Sequence, residues 1–289
     1  MNEEKNIVVI GGDARYIELI RQLQRLKNVN ISLVGFDQLE QSFTSLKQID
    51  LEDVDQKNVD IIILPITGIN EEGKVEVVFS DANIILQPSW FEELKTETKV
   101  FTGITNSYLT KIAKDAQVNL IPLLNRDDIA ILNSIPTAEG TLMMAMEYTD
   151  YTIHSSEVVV VGFGRVGHTV ARTFSALGAK VSVGARSKKD LARIKEMGLH
   201  PIPLEKLSAN VNTCDILINT IPALVITKEE IKQLPSHSLI IDLASTPGGT
   251  DFDYANKRGI QAILSKSLPG IVAPKTAGKI LADVIVQMI

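Results

Sequence analysis

Residues 158–186, VVVVGFGRVGHTVARTFSALGAKVSVGAR, decide the fold. Four valines form an apolar run that ends at Gly162. A helical pattern follows at once, and a second apolar run closes the unit at Ala185 within about thirty residues. Strand, glycine turn, helix, strand is the opening of a Rossmann unit. Gly162, Gly164 and Gly167 supply the G-x-G-x-x-G of its turn: the first permits the tight bend, the second lets a pyrophosphate reach the backbone, and the third lets the helix pack on the strand. Free N–H groups at the helix start favour an anion. Gly162, Phe163, Gly164, Arg165, Val166 and Gly167 are therefore candidate cofactor contacts, the bland alternative being a plain glycine turn.

One strand further on stands VGARSKKD, residues 183–190. NAD-binding versions of the fold carry an Asp or Glu there for the ribose hydroxyls. Here Ala185 and Arg186 occupy the place. A guanidinium can stack on adenine and contact a 2′-phosphate, Ser187 can donate to the same phosphate, and Lys188 or Lys189 can add charge. The pattern predicts NADP, against the alternative of a solvated basic helix start.

The same unit continues through apolar runs at 216–219, 239–243 and 261–264, so a parallel α/β domain is expected. NTIPALVIT follows the first of these runs, with Thr220, Ile221 and Pro222 expected to line the cofactor. IDLASTPGGTDFDYA follows the second. It should bring Asp242, Leu243, Ala244 and Ser245 near the nicotinamide, while Asp251 and Asp253 cap the next helix. SLPGIVAPKTAG, near the end, has a turn at Pro269 and Gly270, and Pro274 opens a helix. Lys275 and Thr276 lie in its first turn, where a lysine opposes the helix dipole; an anionic substrate would explain that, a solvated lysine equally.

Working back toward the start, residues 134–151 read as a connecting helix with Ser134 as cap and Pro136 in its first turn, its methionines filling core. Before it, apolar runs at 7–10, 31–34, 59–64, 84–86, 99–101 and 118–121 alternate with helical segments such as 14–27. The expected fold class is α/β, with two doubly wound parallel-sheet domains, the second a Rossmann dinucleotide-binding domain. The expected division is 1–133, a linker helix at 134–153, and 154–289. GGDAR (11–15) and PITGIN (65–70) each follow a strand, at the edge where such sheets bind ligands. Arg15, Thr67 and Gly68 are substrate candidates there, Arg15 through bidentate pairing with a carboxylate.

The bulk numbers agree with a globular protein. The chain has 289 residues, 45% hydrophobic and 22% charged, with net charge −6, which argues against nucleic acid as partner. No apolar run is long enough to span a membrane, and Met1 is not followed by a secretory signal, so a cytoplasmic protein is expected. The single cysteine, Cys214, excludes an internal disulfide and reads as a packing residue. None of His154, His168, His200 and His237 has metal-pair spacing, and no metal is expected.

IVVIGGDARY, SIPTAEG, VVVVGFGRVGHTVA with VGARS, NTIPALV, and IDLASTPGGTDFDYA with LPGIVAPKTAG together resemble the family of dipicolinate synthase A subunits of spore-forming bacteria. The motifs cover most of the chain in order. GFGRVG alone fits many dehydrogenases; its combination with GGDAR and LPGIVAPKTAG is far more specific. The resemblance implies an N-terminal α/β domain and a Rossmann domain related to hydroxy-acid and alanine dehydrogenases. It also implies oxidation of dihydrodipicolinate, a small dicarboxylate, with NADP as hydride acceptor, partnership with a flavoprotein-like B subunit, and work in the mother-cell cytoplasm during sporulation. For such a substrate Lys275 and Arg15 are the residues expected to carry the chemistry, with the N–H groups near Thr276. A homo-oligomer is expected. The competing readings are an NADP-dependent dehydrogenase of another small carboxylate and a non-catalytic NADP(H)-sensing protein.

Overall fold

The computed structural model describes residues 4–39, 46–265 and 267–289. The chain divides into two compact units, one comprising residues up to Ala130 together with Pro274–Ile289, the other Ile131–Ala273.

In the first unit the strands are β1 (Lys5–Ile10), β2 (Val29–Val34), β3 (Lys47–Gln48), β4 (Ile61–Ile63), β5 (Lys99–Thr102) and β6 (Asn119–Pro122). They form one parallel sheet in the order β3-β2-β1-β4-β5-β6. Val-, Ile- and Leu-rich strands of this kind are buried on both faces. Ile7 and Val9 accordingly face one core with Tyr16 and Leu19, and Val8 and Ile10 the other with Phe91 and Leu109. Helices α1 (Ala14–Leu23), α2 (Pro88–Glu92) and α3 (Ser107–Asp115) supply the covering layers. Residues 84–86, expected as a strand, make only an isolated bridge from Ile85 to Lys74.

The connecting helix α4 runs from Asp127 to Glu147. It starts earlier than expected because Asp127 and Asp128 suit a helix N-terminus, and the Asp128 carboxylate accepts from the Ile129 N–H. Ser134 and Pro136 thus lie inside the helix rather than at its cap and first turn. The Ser134 hydroxyl bonds the Ile131 carbonyl and Thr169 Oγ1, both at 2.6 Å. Of the helix's methionines only Met144 is buried; Met143 and Met146 are exposed.

The second unit holds β7 (Glu157–Val161), β8 (Lys180–Ala185), β9 (His200–Pro203), β10 (Ile216–Asn219), β11 (Leu239–Asp242) and β12 (Gln261–Leu264). Its order, β12-β11-β10-β7-β8-β9, is the same arrangement over again. Numbered from its own first strand, each unit reads 3-2-1-4-5-6, the order of dinucleotide-binding sheets. Prolines fall in β6 and β9, which are edge strands and can spare the ladder N–H. The helices are α5 (Arg165–Ala176), α6 (Lys188–Glu196), α7 (Lys228–Gln233), α8 (Phe252–Lys257) and α9 (Leu268–Val272).

The last helix, α10 (Pro274–Met288), corrects the expected division: it belongs to the first unit, not to a domain running from 154 to 289. Its apolar residues Leu281, Ala282, Val284 and Ile285 share a core with Leu19, Ile20 and Leu23 of α1. Gly278 permits the close approach, since a Cβ there would overlap the Arg15 carbonyl. Val286 and Ile289 line one cavity with Leu26 and Val29, just past the end of α1, so α10 lies alongside α1 and runs the same way.

Candidate functional site

At the carboxyl edge of the second sheet the order reverses between β7 and β10. The glycine turn follows β7 there, and each glycine has its own reason. Gly162 has φ +104°, and a Cβ would collide with Thr220 Oγ1; a Cβ on Gly167 would overlap the Gly162 carbonyl. Around Gly164 nothing lies within 4 Å of where a Cβ would stand. Gly164 is also the N-cap of α5, and no side chain caps that helix. Two glycines are therefore forced by packing, whereas the middle one lines a space open to a phosphate next to uncapped N–H groups. Phe163 and Val166 pack partly into the core, Arg165 is exposed, and the Phe163 ring stands 5.3 Å from His168.

Arg186 and Ser187 follow β8 and are exposed, as are Lys188 and Lys189. Ser187 is the N-cap of α6, its oxygen accepting from the Asp190 N–H at 3.0 Å. A hydroxyl that accepts in this way keeps its own proton for an anion.

After β10, the Thr220 hydroxyl donates to the Val161 carbonyl at 3.0 Å, which binds this loop to the glycine turn instead of leaving the oxygen free. Ile221 is half-buried and Pro222 exposed. Asp242, expected near the nicotinamide, turns into the loops at the end of β11 rather than standing open at the edge. It is wholly buried, and its carboxylate accepts from Asn219 Nδ2 and the Ala244 N–H at 3.0 Å each, the Gly249 N–H at 2.8 Å and Thr250 Oγ1 at 2.6 Å. Asn219 in turn bonds the carbonyl and the N–H of Ile221. With Val225 and Ile226 donating to the Gly249 carbonyl, the loops after β10 and β11 are tied into one body. Leu243 is half-buried, Ala244 buried, and Ser245 is the exposed member of the four. Asp251 caps α8, as expected.

In the first unit, the edge that holds Arg15, Thr67 and Gly68 also holds Lys275 and Thr276, because α10 runs parallel to α1. Lys275 and Thr276 are exposed in the first turn of α10. Arg15 does not offer its fork to solvent. It is 5% exposed, and its Nε and Nη2 both bond the carboxylate of Asp13, which also caps α1 through the Arg15 N–H. Sequence reasoning missed Asp13; an Asp directly before a helical run is the cap signature that would have found it. Thr67 donates to Glu76 Oε2 at 2.8 Å, and Gly68 is a buried turn with φ +68°. Tyr16, fully buried, donates to the Leu64 carbonyl, and burial pushes its hydroxyl pKa far up.

Among the described residues no cluster of three or more His, Cys, Asp or Glu side chains could hold a metal ion, and no helix is long and apolar enough to cross a membrane. Cys214 is buried, and burial raises its thiol to about 12.

Residues 6–124 match the family model for the N-terminal domain of the dipicolinate synthase A subunit, and residues 134–247 the model of the D-isomer specific 2-hydroxyacid dehydrogenase NAD binding domain. The dipicolinate synthase A subunit of Bacillus subtilis (strain 168) is 50% identical over 283 residues, 98% of this chain and 95% of that protein. The chain belongs to the family of dipicolinate synthase A subunits. Two solved structures agree along the whole length. That of the Bacillus halodurans A subunit is 53% identical, with TM-score 0.96, covering 100% of this chain and 98% of that one. That of the Bacillus subtilis protein is 49% identical, with TM-score 0.94, covering 100% and 96%. In this family member the second unit is a dehydrogenase-type domain for a nicotinamide dinucleotide, and the chain is an oxidoreductase by family.

Proposed function

We propose that the chain is the A subunit of a dipicolinate synthase, oxidising dihydrodipicolinate to dipicolinate with NADP as hydride acceptor and acting with a flavoprotein-like B subunit in the cytoplasm of the sporulating mother cell. The observation that carries the cofactor part is Arg186 with Ser187 at the end of β8, where an NAD site would hold an acid. The adjoining glycine turn fits the pyrophosphate, since Gly164 leaves the approach open.

When bound, the cofactor supplies a ring that accepts a hydride. The chain's residues have three tasks. Residues 162–167 hold the pyrophosphate, and Arg186 and Ser187, with Lys189 as background charge, hold the 2′-phosphate. The joined loops carrying Thr220 to Pro222 and Asp242 to Ser245 form the base for the nicotinamide end. For the substrate, two carboxylates need cationic or N–H partners; Lys275 and the first N–H groups of α10 near Thr276 offer both, and Thr67 and Gly68 share that edge. Arg15 joins them only if a substrate carboxylate displaces Asp13 from its fork. Loss of a hydride and a proton makes the ring aromatic, so positioning outweighs acid–base chemistry. Exposed Leu132, Ile135, Met143 and Met146 on α4 support self-association as a homo-oligomer.

Calorimetry with NADP and NAD tests the cofactor reading. Wild type should bind NADP about ten- to a hundredfold more tightly, and Arg186→Asp should abolish the difference; equal affinities in the wild type refute it. Turnover of a simple 2-hydroxy acid in place of dihydrodipicolinate would refute the substrate, and unchanged KM and kcat in Lys275→Met would remove Lys275 from the site.

A further inference from the structure

Asp242 is an anomaly that loop architecture does not exhaust. It is 0% exposed and has no ion-pair partner among the described residues. A buried carboxylate normally needs a cation or full hydrogen bonding. Here four donors, Asn219 Nδ2, the Ala244 and Gly249 N–H groups and the Thr250 hydroxyl, fill the four lone-pair sites of an ionised carboxylate. A protonated acid would turn an O–H against one of them. The donors are neutral, so they satisfy the charge without cancelling it.

Its place gives the charge a target. Val161, Asn219 and Asp242 stand in register in one row across β7, β10 and β11, at the carboxyl end of the sheet. Val161 runs directly into the glycine turn, and Asn219 runs into the loop that Thr220 fastens to that turn. The row thus lies beneath the reversal of strand order, where this fold receives its dinucleotide.

We infer that Asp242 sets the redox preference of the site: its buried negative charge favours the oxidised cofactor, whose nicotinamide ring is positive, over the reduced cofactor, whose ring is neutral. The inference rests on the reading that the second unit binds NADP. Arg186, Lys188 and Lys189 act on phosphates that both redox forms carry, so their contribution drops out of the ratio. Asp242 does not. For an enzyme that takes up NADP⁺ and must let NADPH go, this bias speeds exchange of the spent cofactor.

The test is the ratio of dissociation constants for NADP⁺ and NADPH, measured by calorimetry on wild type and Asp242→Asn, with circular dichroism as a check of folding. Asparagine keeps the shape and removes the charge, but its NH2 meets two of the four donors, which is why folding is checked alongside. The variant should lose affinity for NADP⁺ relative to NADPH by on the order of tenfold, the effect of one unit charge acting over a few side chains at an effective dielectric of ~20. Equal weakening of both forms would mean that Asp242 only organises the loops, and would overturn the inference while leaving NADP binding intact. If wild type binds neither form, the reading beneath it is refuted and the inference with it. Should Asp242→Asn fail to fold, Thr250→Ala takes its place. Removing one donor dipole leaves the carboxylate more negative toward its surroundings, so the preference for NADP⁺ should rise about two- to threefold. An unchanged ratio, or one moved toward NADPH, overturns the proposal.

Discussion

Both units of this chain build the same sheet, order 3-2-1-4-5-6, and in both the first strand is followed by a glycine turn that feeds a helix. In the second unit that helix begins at Gly164 with no side-chain cap and open space beside it. In the first, α1 begins at Asp13, whose carboxylate caps the helix and grips Arg15, while Tyr16 fills the room next to Gly12. The anion that a dinucleotide would bring to one helix start is built into the other. Topology offers the phosphate site in both units, and a handful of side chains decides whether it stays open. Strand order alone is thus a weak guide to cofactor binding.

The comparison breaks most visibly at Gly12. Its φ is +128°, and a Cβ would press into the Tyr16 ring. Gly12→Ala should cost about 3 kcal/mol or more, combining backbone strain with overpacking, and leave NADP affinity unchanged. Trp90, the chain's single tryptophan, lies in the first unit and reports that unit's unfolding in urea separately from the second. A weakened cofactor affinity would show that the first unit shares the dinucleotide site.

Asp13→Ala comes next, at roughly 2–3 kcal/mol. It removes a helix cap, about 1 kcal/mol, and leaves Arg15 buried without its partner; Asp13 is 23% exposed on its side chain, so the loss stays below the 3–5 kcal/mol of a fully buried pair. Asp13→Asn keeps the cap and should recover about half. If neither changes the urea midpoint, the internal anion does not hold the turn.

Gly164→Ala probes the open half of the comparison. No clash is expected, so the urea midpoint should stay within about 0.5 kcal/mol of wild type. The added methyl would stand where the pyrophosphate approaches, and affinity for NADP and NAD alike should fall at least about tenfold by calorimetry. Unchanged affinity would place the phosphates elsewhere.

Much of this was legible beforehand for a physical reason: buried parallel strands are continuous apolar runs, and the turns between them need glycine. What escaped depends on partners distant in sequence. The apolar stripe of α10 says that the helix packs, not that it packs on α1 more than two hundred residues away. Pro136 suggested a helix start, yet the acidic pair Asp127 and Asp128 had already set one nine residues earlier. Edge strand β9, His-Pro-Ile-Pro, carries too much proline to be read as a strand. At the site, Gly162 and Arg186 stood out through local pattern. The engagement of Arg15 by Asp13 and of Asp242 by four donors is set by side-chain geometry that spacing does not encode.

Ser187 gives the smallest and sharpest effect, because two roles meet on one oxygen. As N-cap of α6 it accepts from the Asp190 N–H, and as a phosphate ligand it would donate its own proton. Ser187→Ala should lower stability by about 1 kcal/mol. That loss belongs to the helix and is the same whichever cofactor is present. The donated bond exists only with a 2′-phosphate, so NADP affinity should fall about five- to tenfold while NAD affinity holds. Ser187→Asp separates the roles from the other side: it keeps the cap, even improves it for the helix dipole, but sets a carboxylate against the phosphate. Stability should stay at or above wild type while NADP affinity falls further than in the alanine variant. Were both variants to bind NADP and NAD in the wild-type ratio, Ser187 would be a cap alone, and discrimination at the end of β8 would fall to Arg186.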